Sequence, residues 1–107
     1  MIYGYQSEKL SAARSALMLP HPDGEATSIA NAFHLLHLAF HRMDESGLDD
    51  NARIWIRKLK ELTDTNGLVD PDSVGLWRIK AQQLGTDEKV ELSRCVDELA
   101  HWFREDR

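Results

Sequence analysis

The 107-residue chain carries 13 Lys and Arg against 18 Asp and Glu, for a net charge of −5, and its pI lies near 5.4. That balance speaks against nucleic acid and anionic membrane surfaces as default partners, since both need an excess of basic side chains on one face. The length implies one domain over 1–107 with its own core, and the single cysteine, Cys95, excludes an internal disulfide and fits a reducing compartment.

Residues 1–6, MIYGYQ, read as an extended lead-in. Ser7 then caps a helix over 7–19 that places Leu10, Ala13 and Leu17 on one face and stops before Pro20 and Pro22. No basic segment followed by an apolar run occurs here, so no signal peptide is expected and the expected address is cytoplasmic. A second helix is predicted over 23–45, with Asp23 as cap and Glu25 near the positive end of the helix dipole. Ile29, Ala32, Phe33, Leu36, Ala39, Phe40 and Met43 recur at helical spacing on its core side.

Asp49 or Asp50 opens the third helix, 50–65, which gathers Ala52, Trp55, Ile56, Leu59 and Leu62 and ends at Asn66-Gly67. Asp70-Pro71 signals the start of the fourth, 71–84. That helix has two apolar sides, Val74, Trp77, Ala81 and Leu84 on one and Leu76 and Ile79 on the other, so it is expected to be buried on both. The fifth, 87–105, turns Leu92, Cys95, Val96, Leu99, Trp102 and Phe103 inward. No alternating strand pattern or internal repeat appears. The expectation is an all-α bundle of about five helices, mostly antiparallel neighbours joined by short loops.

One stretch carries the functional signal. Between Glu25 and Arg42 the second helix has no formally charged residue, although 29% of the chain is charged. Its outward side reads Thr27, Ala30, Asn31, His34, His37, Leu38 and His41, so three of the five histidines share a stripe. A solvated helix face ordinarily carries Lys and Glu, so this face is expected to touch something. It can be read three ways.

The bland one makes the rings semi-buried core residues with hydrogen-bond partners, covered by the short first helix. The second is zinc: His37 and His41 are spaced to share an ion, His34 and His37 also could, and the separation of about 10.5 Å between His34 and His41 along a straight helix speaks against all three on one ion. The third is a contact surface of Ala30, His34, His37, Leu38 and His41 for a partner protein or a second copy, because interface centres are depleted of charge. Such a contact would respond to pH, since rings buried neutral must charge in acid. The same pattern would suit an engineered binding site.

Catalysis finds little support. Cys95 lies on a core face, and His101 with Asp97 one turn earlier reads as a surface pair. The segment DTNGLVDPDSVG lacks the glycine and glutamate of a calcium loop, with Val69 and Gly75 at those positions. It could be the turn of a helix-turn-helix, with Arg78, Lys80, Gln82 and Gln83 on the second helix and Arg53, Arg57 and Lys60 nearby, but these sit on an acidic protein that lacks the positive field. The expected function is a non-enzymatic protein-interaction domain acting through the second helix without a cofactor, with a zinc-binding bundle as the alternative.

Overall fold

A computed structural model describes residues 3–21, 23–70 and 75–104. The described residues form helices alone: α1 (Gly4–Ala16), α2 (Glu25–Phe40), α3 (Asp50–Leu62), α4 (Leu76–Gln83) and α5 (Thr86–Arg104). The packing pairs are α1 with α2, α1 with α5, α3 with α5 and α2 with α4. Of these four, only α1 with α2 is consecutive in the chain. The result is an all-α bundle whose α-carbons have a radius of gyration of 13.6 Å, near the value expected for a folded chain of this length.

α5 supplies the largest share of the core. Leu92, Cys95, Val96, Leu99, Ala100, Trp102 and Phe103 are all buried, at the spacing that keeps one side of a helix inward. Glu88 accepts a hydrogen bond from the Gly85 N–H at 3.0 Å, which satisfies a free donor where the helix starts. Near its other end, Trp102 and Phe103 meet Tyr3 with ring centroids 6.0 and 5.2 Å away, and each other at 5.0 Å.

Tyr3 corrects the expected lead-in. It is buried, it caps α1 in place of Ser7, and residues 4–6 are already helical. Ser7 donates its backbone N–H to the Tyr3 carbonyl at 2.8 Å, as an interior helical residue does. At the other end α1 finishes at Ala16, three residues before the predicted stop, with Leu17 as cap. Leu10 and Ala13 are fully buried, and the small Ala13 lets α1 approach its neighbours closely.

α2 also departs from its predicted 23–45 at both ends. Gly24, at φ 93°, occupies the capping position without a side-chain cap from Asp23. The helix ends at Phe40, because His41 is already extended (ψ 120°) and Arg42 takes φ 55°. Two bonds hold the chain beyond that turn: the Tyr3 hydroxyl donates to the Asp44 carbonyl at 2.7 Å, and the Asp44 carboxylate accepts from the Ser46 N–H at 3.0 Å. The second is an Asx turn, the local alternative that short polar side chains offer to helix.

α3 starts where expected. Asp49 accepts from the Ala52 N–H at 2.8 Å, and its other carboxylate oxygen accepts from the Trp102 indole N–H at 2.9 Å. One side chain therefore caps α3 and ties it to α5. Farther along the same seam Glu91 is bound by Lys58 and by Arg94, each at 2.8 Å. α3 finishes at Leu62, and Trp55, expected in the core, is half-buried against it.

α4 is the thinnest element. The predicted start at Pro71, and Val74, lie outside the described residues. The described helix begins at Leu76 behind Gly75, and the Asp70 carboxylate accepts from the Gly75 N–H at 2.8 Å. Burial on both sides is not found: Ala81 is the buried residue of α4, Leu76 is 39% exposed, and Leu84 is buried just past its end.

Candidate functional site

α4 meets the outward side of α2 through one large side chain. Trp77, half-buried, packs against His34 with ring centroids 5.6 Å apart and against His37 at 5.5 Å. His37 in turn stacks on His41 at 5.7 Å with 29° between the ring planes. All three imidazoles remain exposed. The reading in which they are covered core residues is therefore overturned: α1, the helix expected to cover them, packs against α2 and α5, and the rings stay open to solvent.

Trp77 divides the face. On the side toward the start of α2 lies a cleft of about 590 Å³, walled by Thr27, Ala30, Asn31 and His34 from α2 and by Leu76, Trp77 and Arg78 from α4, with Thr65 and Gly75 at its border. Its walls combine apolar side chains with a few hydrogen-bonding groups, the usual make-up of a binding cleft. On the other side lie His37 and His41. Of the five residues expected to form one contact surface, Ala30 and His34 reach the cleft, His37 and His41 form a separate pair, and Leu38 is half-buried without lining the cleft.

Leu76, Trp77 and Arg78 were not anticipated as site residues. The available signal was the pair of apolar sides on the fourth helix, Trp77 on one and Leu76 on the other, which burial was expected to use up. α4 is too short and too exposed for that, and its aromatic ring becomes a wall of the cleft instead.

As metal ligands, His37 and His41 are brought together as the spacing predicted. Among the described residues, however, no group of three or more His, Cys, Asp and Glu side chains is assembled to hold an ion. The other reactive groups are engaged elsewhere. Cys95 is buried and burial pushes its thiol up, with Glu91 adding to the shift, the reverse of an activated nucleophile. Asp97 pairs with Arg14 of α1 at 2.6 Å. Of the basic residues, Arg53, Arg57 and Lys60 of α3 line one shallow pocket together with Glu45, away from α4. Arg53 donates to the Leu48 and Glu45 carbonyls, Lys58 meets Glu91, and Arg78 borders the cleft.

No protein-family model matches the chain, and neither does any curated protein or solved structure. Among the described residues, no helix is long and apolar enough to cross a membrane.

Proposed function

We propose that this chain is a non-enzymatic interaction domain that takes a segment of a partner protein into the cleft between α2 and α4. The observation that carries this is the cleft itself, lined by the apolar Ala30, Leu76 and Trp77 and by the polar Thr27, Asn31, His34 and Arg78. The α2 wall has no Lys, Arg, Asp or Glu to strip of water on docking, and desolvating such groups is what makes charged surfaces poor interface centres. A half-buried tryptophan beside exposed apolar and amphipathic side chains is also the kind of anchor around which binding energy concentrates. Among the described residues, no nucleophile, base and orienting group come together, which supports a binding module over an enzyme.

The test is a selection of random peptides against the folded chain, followed by mapping of the enriched peptides through backbone amide shifts. Peptides should be enriched that move the amides of Thr27, Asn31, His34 and Trp77 and that fail to bind Trp77→Ala. Failure to enrich any such peptide, or enrichment of peptides that map to the α3–α5 side, would count against the proposal.

A further inference from the structure

The geometry points to a metal site on the other side of Trp77: His37 and His41 form half of a zinc site that a second copy of this chain completes. It goes beyond the cleft reading and uses none of the cleft's walls except the shared tryptophan.

The pair has the right dimensions. Zinc–nitrogen bonds are about 2.1 Å and the ligating atom lies about 1.1 Å from the ring centre, so two imidazoles on one tetrahedral ion have centroids about 5 Å apart. His37 and His41 stand at 5.7 Å with 29° between their planes, near that spacing, and turning the rings about their side-chain torsions would aim one nitrogen of each at a shared ion. His37 is backed by Trp77 at 5.5 Å, which limits where its ring can go. His41 caps α2: its backbone N–H still donates to the His37 carbonyl at 3.0 Å, which holds the two residues one turn apart, while its own ψ of 120° already leaves the helix. Both rings are exposed, so an ion can reach them without opening the fold.

One copy cannot finish the site, since among the described residues no third ligand joins the pair. Zinc takes four ligands when its site is closed. A two-fold axis through the ion brings two imidazoles from each copy and supplies four, and two-fold symmetry is the commonest arrangement of paired identical chains. The α2 face that would approach its counterpart carries no formal charge before Arg42. Arg42, Asp44 and Glu45, in the turn just beyond the helix, are all exposed.

Sedimentation of the metal-free chain with added zinc chloride, paired with calorimetry, tests this directly. Zinc should convert monomer to dimer at roughly one ion per two chains, and a chelator should reverse it. His37→Ala and His41→Ala should each abolish the dimer while leaving helicity unchanged, since both rings are exposed. His34→Ala and Ala30→Glu should keep it, which separates this site from the cleft: either can fail without the other. No saturable zinc binding, zinc bound by a chain that stays monomeric, or a zinc-induced dimer that survives His41→Ala would overturn the proposal.

Discussion

The two long sides of α2 meet very different neighbours. On one, Ile29, Ala32, Phe33, Leu36 and Ala39 are buried in the core beside α1. On the other, the neighbour is eight-residue α4, whose own buried position is Ala81. Both sides are largely free of charge, but only the first needs to be for the sake of the core. An uncharged side that the fold leaves open is what the proposed contact role needs, whereas the buried side serves stability.

The contrast should appear first as unequal costs of truncation. Phe33 is fully buried, so Phe33→Ala should destabilise by about 3–5 kcal/mol, the range for deleting a large core aromatic. Trp77→Ala, on the open side, should cost about 1 kcal/mol. Chemical denaturation of both variants measures the gap; equal losses would erase the distinction between the two sides.

Next in size comes Asp49→Ala. It removes the α3 cap and leaves the buried Trp102 without the acceptor for its indole N–H, for a loss of about 2 kcal/mol. Asp49→Asn keeps a capping oxygen and should recover part of it, read by the same denaturation.

A smaller effect depends on pH. The Glu91 carboxyl is held at about 2, below its ordinary 4.5, by hydrogen bonds from Lys58 and Arg94. A carboxylate lowered on folding contributes stability above its unfolded pKa and loses that contribution as pH falls toward the folded one. The α3–α5 seam should therefore weaken between about pH 4.5 and 2, and solvent screening keeps the change modest. In Glu91→Gln this part of the acid-unfolding curve should be flatter than in the wild type, whereas an unchanged curve would mean the seam does not depend on that charge.

Much of this was legible from residue spacing, because an amphipathic period depends only on which side chains avoid water. The buried sets of α2, α3 and α5 followed it: Ile29 through Ala39, Ala52 with Ile56 and Leu59, and Leu92 through Phe103. Helix ends were harder. The turn at His41–Arg42 has no glycine or proline to announce it, and it is held partly by the distant Tyr3 hydroxyl reaching Asp44. The site was half legible. Composition pointed to the α2 side of the cleft, whereas the role of Trp77 depends on how little of α4 is buried, and spacing alone cannot tell a core tryptophan from one that walls a cleft.

The central claim, that the two sides of α2 do different work, is tested most directly by placing one charge on each. Ala32 is fully buried, and Ala30 lines the cleft. The measurement is affinity of the selected cleft peptides for wild type and Ala30→Glu, with unfolding midpoints of both and of Ala32→Glu as the reference. The account predicts that Ala32→Glu unfolds the chain, whereas Ala30→Glu keeps the wild-type midpoint and loses the peptides. Peptides that bind Ala30→Glu as tightly as wild type would contradict it.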